Sequence, residues 1–314
     1  MPLICVGNLT VGGTGKSPMV EYLVNLLKDK FKIATLSRGY KRKTKGYALA
    51  NQRVTALEIG DEPMLFHIKF PDVPVAVGEE RLDAIPQLLH DKPETEAIIL
   101  DDAFQHRAIK AGLNILLTDC TRLFTRDFYL PTGDLRDQKS SYKRAQVIIV
   151  TKCNSALTNE EANKITKAIS PRPGQQVFFT AIEYGEARHI KTRSIYNLNE
   201  KTEVLLVTGI ANPRPLEAML KTNCKACTLL RYPDHHIFTI DDLRAISKKF
   251  NQIESDDKII LTTEKDAVRL VKFDSELTGL PLFVIPIRHD FLFDGEGKFN
   301  ELVINFIRNF RQIV

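Results

Sequence analysis

The feature that most constrains this chain is a glycine-rich turn between an apolar run and a helical pattern. Leu3–Val6 leads into Gly7-Asn8-Leu9-Thr10-Val11-Gly12-Gly13-Thr14-Gly15-Lys16-Ser17, after which Pro18–Lys28 reads as a helix. Glycines let the backbone curl until successive N–H groups face one point, and the following helix adds the positive end of its dipole. Such a turn holds phosphate: Thr10, Val11, Gly12, Gly13, Thr14 and Gly15 wrap it, Lys16 reaches the β and γ groups, and the Ser17 hydroxyl binds Mg²⁺. The strict pattern asks for glycine where this chain has Thr10, so the match is imperfect at its first position. The bland alternative is an ordinary glycine-rich βα turn with a chance Gly-Lys-Ser.

Apolar runs alternate with helical patterns along the first half of the chain. Leu3–Val6, Ile33–Leu36, Val73–Val77, Ala97–Leu100, Ile115–Leu117 and Val147–Val150 read as strands, and their continuous rather than alternating apolar character suits a parallel sheet covered on both faces. Glu80–Leu89 and Asn159–Ile169 read as helices, the second opening after Thr158 with Glu161 in capping-box position. The fold expected is α/β, P-loop NTPase-like: a doubly wound, mainly parallel sheet with a second, smaller α/β domain. That smaller unit repeats the strand-turn-helix logic from Val204 through Asp241–Phe250, Lys258–Thr262 and Lys265–Val271. Phe178 to Ile190 reads as an extended connector, Leu282–Ile287 as a returning strand, and Lys298–Phe310 as a closing helix that packs back on the first domain. The division expected is 1–185 plus 286–314 for the large domain and 186–285 for the small one.

Composition narrows the class further. With 44 Lys+Arg against 39 Asp+Glu the net charge is +5, mild and dispersed apart from the stretch Arg38–Lys45, which argues against a nucleic-acid binder. Five scattered cysteines give no disulfide framework and suit a reducing cytoplasm. No apolar run approaches the roughly 20 residues of a membrane-spanning helix, so any membrane contact is expected to be peripheral.

Carboxylates stand where such a fold uses them. Ala97–Leu100 ends in Asp101 and Asp102, the strand-end position that places a carboxylate beside the Mg²⁺ of a phosphate loop, with Gln105 and His106 following at the same sheet edge. A solvated turn is the alternative for the aspartates, a structural histidine for His106. Gly60-Asp61-Glu62-Pro63 precedes the helical pattern Met64–Ile68. Asp61 is either a helix cap or a base for an acceptor hydroxyl. In the second unit, Pro233-Asp234-His235-His236 follows Cys224 and Cys227. Adjacent histidines do not easily turn both rings onto one ion, so a histidine that supports a carboxylate is the sharper alternative to zinc.

Taken in order, GNLTVGGTGKS, SRGY (Ser37–Tyr40), GDEP (Gly60–Pro63), DDAFQH (Asp101–His106), LPTGDLRD (Leu130–Asp137), VTGIANP (Val207–Pro213), PDHH (Pro233–His236) and TTEKDAVRL (Thr262–Leu270) resemble the tetraacyldisaccharide 4'-kinase family along nearly the whole chain. The resemblance implies ATP with Mg²⁺ as phosphate donor and the 4'-hydroxyl of an acylated glucosamine disaccharide 1-phosphate as acceptor, in lipid A biosynthesis. It further implies two α/β/α domains joined by a two-stranded linker, and a monomer held peripherally at the cytoplasmic face of a Gram-negative inner membrane. Carried over motif by motif, Lys16 and Ser17 look like nucleotide and Mg²⁺ residues and Asp101 and Asp102 like the metal-side pair. Asp61 looks like the base, paired across the cleft with a PDHH histidine, His235 in preference to His236. Gln105, His106 and Arg136 look like supporting residues. Ala103 and Asp134 stand where many family members have glycine and proline, and the amphipathic segment that usually precedes the phosphate loop is absent here. Two rival classes stay in view: a metallochaperone NTPase, for which the carboxylates, cysteines and histidines would serve a metal cargo, and a nucleotide-gated lipid sensor without turnover.

Overall fold

The computed structural model describes residues 1–273 and 275–311, which form two compact units: Met1–Glu183 with the segment from Arg288 onward, and Tyr184–Ile287. The chain supplies β1 (Leu3–Asn8), β2 (Ile33–Ser37), β3 (Ala48–Leu49), β4 (Val75–Val77), β5 (Ala97–Asp101), β6 (Leu113–Asp119), β7 (Val147–Thr151) and β8 (Gln176–Tyr184). It continues with β9 (Ala187–His189), β10 (Ile195–Tyr196), β11 (Glu203–Thr208), β12 (Ala226–Arg231), β13 (Lys258–Thr263) and β14 (Leu282–Ile285), and closes with β15 (Ile287–Phe291).

The large sheet runs β15-β8-β7-β6-β1-β5-β2-β4-β3. β1 lies parallel between β5 and β6. From β1 the chain works outward to β2, β3 and β4, returns to β5, and then crosses to β6, β7 and β8. The switch of direction around β1 opens a crevice at the carboxyl ends of the central strands, where open α/β sheets take ligands. Alternate residues feed opposite faces. Ile4, Val6, Ala97 and Ile99 enter one core with Met19, Leu23 and Leu27 of the helix Lys16–Leu27, while Cys5, Ile98 and Leu100 enter the other. Both faces are therefore covered, as a parallel sheet requires.

The helix Gly295–Arg311 belongs to this unit and sends Phe299, Val303 and Ile307, each 0% exposed, into the first of those cores. Phe299 packs against the rings of Phe178 and Phe291 at 5.5 and 4.9 Å.

Three elements depart from the sequence reading, each for a local reason. The strand read from Val73 begins only at Val75, because Pro74 has no N–H to enter the ladder. The run read as one returning strand is two, β14 and β15 in different sheets, parted at Pro286 for the same reason. Phe178 to Ile190 is no plain connector: β8 is an inner strand of the large sheet that buries Phe178, Phe179 and Ala181.

The second unit holds its own sheet, β10-β9-β14-β13-β11-β12. Leu205 and Val207 of β11 face one apolar cluster and Val204 and Leu206 the other.

Phe299→Ala should lower unfolding free energy by about 3–5 kcal/mol, the cost of truncating a fully buried aromatic. Urea unfolding of the two proteins measures it.

Candidate active site

The first turn of the helix Lys16–Leu27 has no acidic residue, and Gly15, its N-cap at φ 88°, makes no side-chain capping bond. Its leading N–H groups are thus available to an anion. Two side chains aim the loop. The Thr151 hydroxyl at the end of β7 donates to the Thr14 carbonyl at 2.8 Å, and His289 Nε2 of β15 meets the Gly15 carbonyl at 2.9 Å. In a trans peptide the carbonyl of one residue points opposite to the N–H of the next, so drawing these two carbonyls back turns the Gly15 and Lys16 N–H groups forward. A Cβ added at Gly12 or Gly13 would meet nothing within 4 Å, so that side of the loop is open, whereas one at Gly15 would lie 3.0 Å from the His289 ring. Thr10, where the strict pattern has glycine, makes an antiparallel bridge to Leu135, an extended arrangement that any residue adopts.

Asn8, fully buried at the end of β1, ties the loop to its surroundings. Its amide donates to Thr14 Oγ1 at 2.9 Å, its side-chain oxygen accepts from Arg136 Nη2 at 2.7 Å, and its carbonyl accepts from Gln105. Gly7 is required beside it, because a Cβ there would fall 2.4 Å from Phe104 Cβ in the turn that carries the aspartates.

Asp101 closes β5 and is buried. Asp102 follows at φ 47°, a left-handed conformation that aspartate tolerates better than most residues. Its carboxylate accepts from both terminal nitrogens of Arg136, Nη1 lying 3.2 Å from Oδ2, and stands 3.6 Å from the Lys16 ammonium. Burial pushes the Asp102 carboxyl up, but Lys16 and Arg136 together outweigh it and hold the group below the usual carboxylate range. Asp61 opens the helix Asp61–Lys69 behind Gly60, and its neighbour Glu62 accepts the Ser17 hydroxyl at 3.2 Å. His106 Nε2 lies 3.8 Å from the Glu80 carboxylate. Lys16, Asp102, Arg136, Asn8 and Gln105 thus form one connected cluster around the loop, while Ser17, next to Lys16 in the chain, bonds Glu62.

His235 and His236 belong to the second unit and have different surroundings. His235, at φ 62°, accepts at Nδ1 from Arg269 Nη2 at 3.0 Å, which leaves the proton of the neutral ring on Nε2. Arg269 is anchored on the fully buried Asp266 at 3.3 Å, and Asp266 also accepts from Thr208, Thr263 and the Gly209 N–H. His236 instead bonds Asp242 at 2.9 Å, inside the capping box of the helix Ile240–Asn251, and stacks on Tyr232. Among the described residues no three His, Cys, Asp or Glu side chains converge on a point. For Mg²⁺ the oxygen donors of Ser17, Asp101 and Asp102 are a fitting set, since that ion takes few protein ligands and keeps several waters.

Asn8, Glu62, Thr151, Asp266, Arg269 and His289 were not singled out from the sequence as site residues. Asn8 and Glu62 lie inside motifs already quoted, and Asp266 and Arg269 lie in TTEKDAVRL; a buried polar residue next to a glycine turn was the available signal. Nothing in the sequence near Thr151 or His289 points to the loop they support.

Fold and site together define a nucleotide-binding phosphotransferase of the P-loop class. A profile of the family described as tetraacyldisaccharide-1-P 4'-kinase (LpxK) matches residues 1–308. A protein of Parabacteroides distasonis named tetraacyldisaccharide 4'-kinase is 45% identical, over 98% of this chain and 86% of that protein. One of the same name from Flavobacterium johnsoniae is 44% identical, over 98% of this chain and 88% of the relative. The crystal structure of an "apo" form of LpxK from Aquifex aeolicus in complex with ATP matches with a TM-score of 0.72 and 28% identity, covering 98% of this chain and 89% of that one. The chain belongs to the tetraacyldisaccharide-1-P 4'-kinase family.

Burial depresses the His289 imidazole from its ordinary 6.5 to about 4, against the smaller opposing pull of the Gly15 carbonyl. Because the folded value lies below the unfolded one, the unfolded chain takes up the proton first as pH falls, and stability is lost between pH 6.5 and about pH 4. The expected loss through this residue is roughly 3 kcal/mol. Chemical denaturation across that window should show a profile flatter by this amount in His289→Asn, at a lower starting stability.

Proposed function

We propose that this chain transfers the γ-phosphoryl group of ATP to the 4'-hydroxyl of a tetraacylated glucosamine disaccharide 1-phosphate, with Asp61 as the base. The observation that carries the reading is the connected cluster of Lys16, Asp102 and Arg136 at an uncapped helix end whose loop carbonyls are drawn back by Thr151 and His289. The Gly15 and Lys16 N–H groups and the Lys16 ammonium bind the phosphate oxygens and hold the terminal phosphorus in line with the acceptor, and positioning and charge compensation supply most of the rate in such transfers. Ser17 and the Asp101–Asp102 pair would hold Mg²⁺, which would supply positive charge to offset that of the phosphate oxygens. Arg136 keeps Asp102 ionised and oriented. Asp61 accepts the hydroxyl proton as the new P–O bond forms and the bond to ADP breaks. His235 assists the base, since the Arg269 contact fixes its tautomer, and His236 maintains the fold around Asp242.

The acceptor carries acyl chains, and no helix among the described residues is long and apolar enough to cross a membrane. The reading therefore puts the chain peripherally at the cytoplasmic face of the inner membrane. Within the basic stretch, Arg42 is engaged with Glu79 at 2.7 Å, while Arg38, Lys41, Lys43 and Lys45 are exposed and suited to an anionic phosphate or headgroup.

Transfer of labelled γ-phosphate to the acceptor in detergent tests the assignment. Asp61→Ala should lower kcat by at least about a hundredfold, the usual contribution of a positioned base, with ATP affinity retained. His235→Ala should likewise lose turnover and keep ATP affinity, whereas His236→Ala should chiefly lower the melting temperature. Equal loss in both histidine variants would remove the distinction, and failure of the unmodified chain to bind ATP would remove the kinase reading.

A further inference from the structure

Next to the phosphate loop the chain turns outward through Phe128, Tyr129 and Leu130, which are 69%, 50% and 52% exposed. Three consecutive large apolar side chains on a water-facing surface mark a contact site, since single exposed hydrophobics are ordinary but contiguous ones are not. The segment is firmly built. The buried Asp127 carboxylate accepts from the Phe128 N–H at 2.8 Å and the Asp134 N–H at 3.3 Å. Backbone bonds run from Leu135 to Phe128 at 2.9 Å and from Leu130 to Leu135 at 3.1 Å, and the Thr132 and Gly133 N–H groups both close on the Tyr129 carbonyl. Gly133 fits because a Cβ there would lie 2.3 Å from the Phe128 carbonyl oxygen.

The same segment is stitched to the phosphate loop. Val11 N–H donates to the Asp134 carbonyl at 2.7 Å and Arg136 N–H to the Leu9 carbonyl at 2.9 Å, and Val11 itself is 39% exposed. Backbone groups paired within the loop can leave water without an unmet hydrogen bond, and a fixed tip loses little conformational entropy on contact. Arg126 is exposed immediately before the tip, and Arg122 is exposed nearby although paired with Asp134.

We propose that the Phe128–Leu130 tip inserts into the headgroup and upper acyl region of an anionic lipid bilayer and holds the edge of the phosphate loop at that surface. The choice of occupant rests on the kinase reading above: a disaccharide with four acyl chains resides in a bilayer, so the loop that presents phosphate must work against one. Exposed cations flanking an apolar tip suit negatively charged headgroups.

The chain contains no tryptophan, so Phe128→Trp gives a unique reporter. Added to vesicles of phosphatidylethanolamine and phosphatidylglycerol, its emission should shift to the blue and be quenched by lipids brominated on their acyl chains. Absence of any shift overturns the proposal, as does a shift that appears only with the acylated acceptor in detergent, which would make the tip an acyl-chain contact. A second variant, Phe128→Ser with Tyr129→Ser, should keep its melting temperature and its transfer to acceptor dispersed in detergent, and lose about tenfold or more of transfer to acceptor embedded in vesicles. Equal loss in both formats assigns the tip to the acceptor site and overturns the proposal. The fluorescence arm decides insertion even if the unmodified chain makes no product, an outcome that counts against the kinase reading alone.

Discussion

The site depends on two hydrogen bonds that pull backbone carbonyls away from it. A glycine-rich turn before a helix can bend in several ways, and its N–H groups serve an anion only if the intervening carbonyls face elsewhere. Thr151 and His289 settle that by engaging those carbonyls: the Thr151 hydroxyl donates to Thr14 at 2.8 Å and His289 Nε2 meets Gly15 at 2.9 Å. His289 reaches the Gly15 carbonyl through Nε2 while its Nδ1 meets the Thr180 hydroxyl at 2.9 Å, so the ring is held from both sides. Burial keeps it neutral. The loop near the start of the chain thus takes its shape from a strand near the end, and the returning segment is part of the site rather than a cover for it.

Charge is arranged around this frame so that no strong ion stands alone. Lys16 would face an open crevice, yet Asp102 lies 3.6 Å away, and Arg136 holds Asp102 in turn. An arriving polyphosphate therefore competes with Asp102 for the Lys16 ammonium. Arg136 remains on the carboxylate meanwhile and continues to favour its ionised form. A left-handed Asp102 places the carboxylate at this point directly after a strand, and Gly7 makes room for the turn that follows.

What could be read from the sequence was whatever is decided within a few residues. The phosphate loop was legible because its strand, glycines and helix are contiguous. The helix Asn159–Ile169 was legible to the residue because Thr158 and Glu161 cap it, and the structure shows both halves of that capping box. The parallel sheet was legible from apolar runs buried on both faces. Pro74 and Pro286 were visible and should have shortened or split their strands, since a residue without an N–H interrupts a ladder. β8 was not legible, because its polar end at Gln176 and mixed pattern resemble a connector until its neighbours β7 and β15 are known. Thr151 and His289 were hidden for a stronger reason: their partners lie 137 and 274 residues away.

The two adjacent histidines show why neighbours in sequence need not share a role. A left-handed φ at His235 turns the backbone between them, so that one ring meets Arg269 while the other stacks on Tyr232. The Arg269 contact is informative because a guanidinium can only donate. It therefore demands a lone pair from Nδ1 and commits the remaining proton of the neutral ring to Nε2. Asp266 makes the arrangement rigid by gathering Arg269, Thr208, Thr263 and the Gly209 N–H onto one buried carboxylate. Three motifs separate in the sequence, VTGIANP, PDHH and TTEKDAVRL, thus converge to set the tautomer of one imidazole. A fully partnered buried network of this kind rigidifies what it holds, and here it holds one imidazole in one tautomer.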